Sequence, residues 1–298
     1  MVHEQTIRQE VACSGLGLHS GAPVNLRILP AAAGTGIVFR RTDLDGFQIE
    51  ANSRNVAKVS YATSLMKKGV LISTTEHLLS ACVGVGLDNA IIELDNLELP
   101  LLDGSAQPFV EMILNAGLRK QRRSRAYYRI CRELELHEGD KFIGVYPGPG
   151  YSVSYAIDFP HPLIGKEVFE VELSDDQFRN EIAAARTFGF KHQEQQMKNQ
   201  GLIRGASMDN VIVLTQDSVL NGPLRFEDEF VRHKVLDLIG DLALLGRRII
   251  GRVVANRAGH AMHTALVSRL LKDPTLWEET TDEHLPATTP AIELNASF

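Results

Sequence analysis

Residues 225–246 read RFEDEFVRHKVLDLIGDLALLG. At ~100° per residue, the period of an α-helix, the stretch resolves into two faces. Val231, Val235, Leu238, Ile239 and Leu242 make a broad apolar face that needs a layer to lie on. His233, Asp237 and Asp241 fall opposite, with Lys234 at the border. His233 and Asp237 are four apart, so their side chains stack one turn from each other. An imidazole and a carboxylate so placed can grip one cation. The plainer reading is a solvated face carrying a local His–Asp pair. The choice depends on whether the rest of the chain supplies a third ligand, a base and room for a substrate.

Outward from this helix the chain alternates in short strands. Upstream, residues 5–12, 23–29, 36–40, 47–51 and 89–94 read as strands; in the second, Val24, Leu26 and Ile28 alternate with Asn25 and Arg27. Residues 130–138, 141–146 and 151–159 read as an antiparallel run, 166–172 as a further strand, and 246–255 as the strand that follows the helix. Helices are expected over 73–86, which starts in a Ser/Thr cluster and ends in glycine, and over 106–116, 175–185, 193–200 and 262–271. Residues 202–206 and 210–214 give the polar 193–200 helix an apolar exit, a small β–α–β insert. Strand runs with helices to one side favour α+β over a doubly wound sheet. The basic run RKQRRSRAYYRICR, 119–132, reads as a solvated linker. It divides the chain into a first domain, 1–122, a second, 126–272, and a loosely held acidic tail, 273–298.

A chain of 298 residues, 44% hydrophobic, has the length of about two domains and enough apolar residues for a core. Its net charge of -6 argues against nucleic acid, which selects a basic surplus. Three cysteines without CxxC spacing indicate neither a disulfide framework nor a cysteine zinc site. The start lacks an apolar signal core, and no apolar run reaches the ~18–20 residues of a spanning helix. The expectation is a cytoplasmic protein with no stable membrane insertion.

The other candidates for chemistry are short. SGLGLHSG, 14–21, asks for close backbone approach and is not a dinucleotide fingerprint, since the spacing is wrong and no helix follows. Glu76-His77 lies in the 73–86 helix. Glu76 points about 100° from its neighbour, so it would sooner reach a metal-bound water than share a ligand position, as in metallohydrolases that pair a ligand His with a base Glu. Ser73-Thr74-Thr75-Glu76 also fits the S-x-x-E capping box, and the local pattern alone favours capping. His77 alone reads as a satisfied core histidine, and His260, after Gly259, as a polar residue at a helix start. His260 could otherwise be a general acid or an oxyanion stabiliser; His263, three on, would share its side of the helix. Combined, His77, His233 and Asp237 make a two-nitrogen, one-oxygen set, and three protein ligands with an open fourth position are the catalytic zinc pattern.

TEHLLSA (75–81), PLLDGSAQPFV (100–110), RTFGF (186–190), the 224–246 helix and Gly259-His260, in that order, closely resemble the bacterial UDP-3-O-acyl-N-acetylglucosamine deacetylases, zinc amidases of the committed step in lipid A synthesis. The resemblance implies an α+β fold of two similar domains. Each is a two-layer sheet/helix sandwich, ribosomal protein S5 domain 2-like, with helices packed between the domains and small inserts near 56–73 and 191–214. It implies Zn²⁺, or Fe²⁺ in the cell, on His77, His233 and Asp237, with Glu76 as general base. His260, oriented by Asp241, would be the acid or charge stabiliser, and Thr187 would help hold the oxyanion. Lys234 and, more weakly, Lys141 would meet the diphosphate; Phe188 would pack by the sugar and Phe159 on the uracil. Leu18, Met197, Leu202, Ile203, Val211 and Val213 would line an acyl passage, with His19 near its entrance. Thr63-Ser64 stands where some relatives carry a cysteine, so a thiol near the metal is dispensable. The implied substrate is a small acylated UDP-sugar and the implied state a monomer. A non-catalytic nucleotide-sugar or acyl-chain binding module, or a hydrolase of another amide, are the competing readings.

Overall fold

A computed structural model of the chain describes residues 2–57 and 61–281. Residues 58–60, in the first expected insert, and 282–298, most of the expected tail, lie outside the described residues. The first half runs β1 (His3–Ile7), β2 (Val11–Leu16), β3 (Pro23–Pro30), β4 (Ile37–Arg41), β5 (Phe47–Glu50), a hairpin of β6 (Leu65–Lys67) and β7 (Val70–Ile72), helix α1 (Glu76–Val85), β8 (Ala90–Leu94), helix α2 (Gln107–Ala116) and β9 (Leu118–Ser124). The second half runs β10 (Tyr127–Ile130), β11 (Leu134–Glu138), β12 (Lys141–Tyr146), β13 (Tyr151–Phe159), β14 (Gly165–Glu172), the short α3 (Asp175–Gln177), β15 (Phe188–Phe190), α4 (Glu194–Asn199), β16 (Ile212–Leu214), α5 (Glu229–Leu242), β17 (Arg248–Asn256), α6 (His260–Lys272) and β18 (Trp277–Thr280).

The architecture is α+β. The first half builds a sheet of order β2-β3-β8-β4-β5, with α1 and α2 packed together beside it. In β3, Val24, Leu26 and Ile28 are buried and Pro23, Asn25 and Arg27 exposed, the alternation of a strand with one solvated face. The second sheet is centred on β17, buried along most of its length as an interior strand should be. It runs parallel to β13 and β10 and antiparallel to β12. Helices α5 and α6 lie on this sheet, and α1 packs against α5. Among the described residues no helix is long and apolar enough to cross a membrane.

The α1–α5 contact is unusually close. A Cβ built on Gly240 would stand 2.0 Å from the Glu76 carbonyl oxygen and 3.0 Å from its Cα, so only glycine lets the helices approach so near. Beside it, Phe178 occupies the space over Gly84, where a Cβ would meet its ring at 2.0 Å. Helix α1 ends at Gly86, whose φ of 79° is the left-handed conformation that closes helices.

The structure corrects several expectations. The 119–132 run is not a solvated linker: β9 pairs antiparallel with β1, and β10 lies between β17 and β18. Its charge masked a strand pattern in which Arg119, Lys120, Arg122 and Arg123 face out while Arg125, Ala126, Tyr127 and Ile130 are buried. The tail is not loose from 273 onward. Residues 277–280 extend the second sheet, and the Trp277 ring stacks 4.0 Å from Tyr128 and donates its Nε1–H to the Leu270 carbonyl at 2.9 Å. β12 and β13 are not neighbours, because β17 runs between them. The 5–12 strand is two, β1 pairing with β9 and β2 with β3. The 175–185 helix is one short turn followed by a π-turn at Phe178–Ile182.

Replacing Gly240 by alanine sets a methyl group against backbone that cannot rotate away. The expected result is a loss of about 1–3 kcal/mol, the usual cost of overpacking, read as a lower urea midpoint at unchanged m-value.

Candidate active site

Helix α5 presents its polar stripe to α1 and α6, not to water. His233, Asp237 and Asp241 are 1%, 2% and 0% exposed, so the solvated-face reading fails. From α1, His77 meets them. Its Nε2 lies 3.6 Å from Asp237 Oδ1, His233 Nε2 lies 3.3 Å from the same oxygen, and the two imidazoles stand edge to face with centroids 5.0 Å apart. One ligand atom from each of the three residues falls within 4.8 Å of the others.

The protonation of this set suits a cation. His233 faces the Ala185 carbonyl with Nδ1 at 3.1 Å, so the proton sits there and Nε2 offers its lone pair. Burial drives its pKa down to about 3, against the pull of Asp237, and the ring is neutral. Burial opposes ionisation of Asp237 too, but His233 and the Lys234 ammonium, 2.8 Å from Oδ2, hold its carboxyl well below the usual range. Two imidazole nitrogens and a carboxylate are a donor set for a divalent transition metal.

Glu76 is the first residue of α1 and does not cap it. A capping-box glutamate sits three residues inside the helix, whereas this carboxylate accepts the Thr63 N–H at 3.0 Å and Ser73 bonds instead to Ser64. Burial raises the Glu76 pKa, partly offset by His260 and His77, which makes it a better proton acceptor than an exposed carboxylate. Asp241 gathers the other side of the cluster. Its Oδ2 accepts from His260 Nδ1 and His263 Nδ1, each at 2.8 Å, and its Oδ1 from the Thr63 hydroxyl. His260 Nε2 points back to Asp237 Oδ2 at 3.9 Å. Burial disfavours the His260 cation, but Asp241, by charge and hydrogen bond, outweighs it and raises the pKa to about 9. In His263 burial prevails and lowers the pKa; the Tyr155 hydroxyl closes its far side at 3.1 Å.

Around this centre the remaining expected residues divide. Phe188 lies 6.4 Å from the His233 ring, 5.7 Å from Phe159 and 5.6 Å from Lys234 Nζ. Thr187, half-buried, is tied through its N–H to Gly104 and its carbonyl to the Ile212 N–H, both at 2.8 Å. Residues 188–214 form a β–α–β unit with β15 parallel to β16, beginning at the FGF strand rather than at 191. Met197, Leu202, Ile203, Val211 and Val213 are all half-buried there. Half-buried Leu18 and His19 join them through the Gly205 N–H to Leu18 carbonyl bond at 3.0 Å and the Arg204 N–H to His19 carbonyl bond at 3.3 Å. Lys141 is not brought to the centre. It is exposed at the β11–β12 turn, and no contact among the described residues ties it to the site. Sequence reasoning missed Glu98, which is 2% exposed and holds the glycine loop by the His19 and Ser20 N–H groups at 2.9 and 2.7 Å and the Thr74 hydroxyl at 2.9 Å. It also missed the contacts of Thr63 and His263, and Phe190, whose ring stands 5.9 Å from Phe159 and 6.3 Å from Phe188; the repeat of aromatic residues in FGF was the signal for the last.

The raised pKa of His260 makes a stability prediction. A histidine whose folded pKa exceeds its free value of 6.5 stabilises fully below 6.5, and that contribution is lost as pH rises through about 9. Unfolding free energy is therefore expected to fall across this window in the wild type. In His260→Gln that part of the slope should vanish, as denaturant titrations at several pH values can show.

Comparison with known proteins agrees with the geometry. The family model for UDP-3-O-acyl N-acetylglycosamine deacetylase, LpxC, matches residues 4–272. Among curated relatives, the UDP-3-O-acyl-N-acetylglucosamine deacetylase of Solibacter usitatus is 52% identical over 286 residues, 96% of this chain and 97% of its own. Those of Anaeromyxobacter sp. and Cellvibrio japonicus are 44% and 42% identical, covering 97% and 95% of this chain and 96% and 95% of theirs. With the match spanning nearly its whole length, this chain belongs to the LpxC family of UDP-3-O-acyl N-acetylglycosamine deacetylases.

Proposed function

We propose that the protein hydrolyses the N-acetyl group of UDP-3-O-(3-hydroxyacyl)-N-acetylglucosamine, releasing acetate, as the committed step of lipid A synthesis, with a zinc ion on His77, His233 and Asp237; Fe²⁺ suits the same donors. The observation that carries this reading is the buried convergence of that triad with Glu76 on one side and the Asp241–His260 pair on the other. Bound there, zinc supplies Lewis-acid polarisation of a carbonyl and of a water. Glu76 takes the proton of the attacking water. His260, cationic below about 9, steadies the developing oxyanion through Nε2 and gives a proton to the departing amine. Asp241 fixes the tautomer and aim of that ring.

The same reading assigns the substrate contacts. Thr187 helps hold the oxyanion, Phe188 packs by the sugar, Phe159 stacks on the uracil, and Lys234 turns from Asp237 to the diphosphate. The acyl chain runs along Leu18, Met197, Leu202, Ile203, Val211 and Val213, with His19 at the entrance. Lys141 stays a weaker diphosphate candidate, since it would need a long reach. We read the two sheet-and-helix halves as two similar domains meeting near 122–126, of the ribosomal protein S5 domain 2-like kind, and the working unit as a monomer.

Acetate release from the acylated UDP-sugar should require the metal. About one zinc per chain is expected for a single three-ligand site, and full activity after chelation would overturn the mechanism. Glu76→Ala is expected to keep the metal and lose about 10²–10⁴-fold in kcat; a variant that instead loses zinc would show Glu76 to be a ligand. The pH–rate profile should carry a basic limb near the His260 value of about 9, and that limb should be missing in His260→Ala.

A further inference from the structure

Toward the C-terminal ends of α1 and α5, away from the metal triad, lies a cavity of about 280 Å³. It is lined by both sheets and both helices and by no residue assigned a role above. The charges around it do not balance locally. Asp88 is consumed by Arg125, whose Nε and Nη2 each lie 2.8 Å from one of its oxygens, and by the Gln5 N–H at 2.7 Å. Glu50 is taken by Lys67 and Asn55, and Glu4 by Arg123, Asn89 and the Gly34 N–H. Arg248 lines the same wall, and among the described residues it has no ion pair. One of its N–H groups goes to the Val83 carbonyl at the end of α1, and among the described residues no other acceptor meets the rest of its five donors. Tyr151 also lines the cavity, and its hydroxyl is hidden from solvent without a partner among the described residues. The lining is otherwise partly apolar: Leu79, Val83 and Leu242.

The half-buried Arg248 guanidinium has no carboxylate beside it to occupy its donors, and its planar fork matches a carboxylate or phosphate. We propose that this cavity binds a small amphiphilic anion, a carboxylate or phosphate monoester on a short aliphatic body. Arg248 takes the head and the walls from α1 and α5 take the body. Leu79 follows His77 by two residues, and Ile239, also in the lining, follows Asp237 by two. An occupant therefore braces the two helices that carry the metal ligands.

The test is calorimetric titration of the metal-loaded full chain with hexanoate and hexyl phosphate, with hexanol as the uncharged control. Binding is expected at one per chain, with hexanol weaker by about tenfold or more, the worth of one charge-assisted contact. Arg248→Gln, and separately Val83→Phe, which fills the cavity and leaves the arginine in place, should each weaken hexanoate by a similar factor. Met197→Ala, in the proposed acyl passage, should leave it unchanged. Val83→Phe decides the matter should Arg248→Gln not fold. Absence of saturable binding to the wild type, equal affinity for hexanol, or affinity that survives Val83→Phe and falls in Met197→Ala would overturn the proposal. The readout is binding and not turnover, so it stands or falls independently of the deacetylase reading.

Discussion

Everything at the centre depends on how near α1 can come to α5. The missing side chain at Gly240 lets the Glu76 carbonyl rest on the α5 backbone. That approach sets Glu76 and His77 beside His233, Asp237 and Asp241. Two helices from opposite halves of the chain thus share one polar seam inside an otherwise apolar core that is continuous across both sheets. A seam of this kind would be expensive if its charges were left unmatched. Here nearly every polar atom is spoken for: Asp237 by Lys234, Asp241 by two imidazoles and a hydroxyl, His233 by a carbonyl.

The same burial yields opposite protonation states a few ångströms apart. His233, next to a carboxylate but fixed by a backbone carbonyl, stays neutral, while His260, sharing a carboxylate oxygen with His263, is cationic well above neutrality. Glu76 is pushed toward the neutral acid and Asp237 toward the anion. Environments that pull like groups apart in this way separate acid from base within one site. Thr63 joins the two sides, its N–H on Glu76 and its hydroxyl on Asp241, so one loop residue holds both in register.

Much of this was legible in the residues. The helical period put His233, Asp237 and Asp241 on one stripe, and the alternation in β3 and the glycine end of α1 were read as they stand, whereas the 225–246 helix is regular only over Glu229–Leu242, ahead of a 3-10 turn closed by Gly246. What failed has physical causes. Charge on one face of β9 hid the strand beneath it, and the acidic tail concealed a tryptophan that anchors a sheet edge. The capping box matched in letters but not in position, because the helix begins at the glutamate itself. His263, Tyr155 and Glu98 act through contacts distant in sequence, and no local period reports such partners. The solvated-face reading lost because polarity in a single helix cannot say whether water or another helix lies opposite.

The glycine loop has a mechanical consequence. A Cβ on Gly205 would stand 2.2 Å from the Gly17 carbonyl oxygen, and one on Gly21 2.9 Å from Arg204 Cβ. The loop near the start of the chain and the β–α–β unit nearly two hundred residues later are therefore interlocked, backbone against backbone, with Glu98 as the peg beneath the loop. Such parts do not move separately: displacing one drags the other, and the stiffness of the pair, rather than of either piece, governs how far they can part.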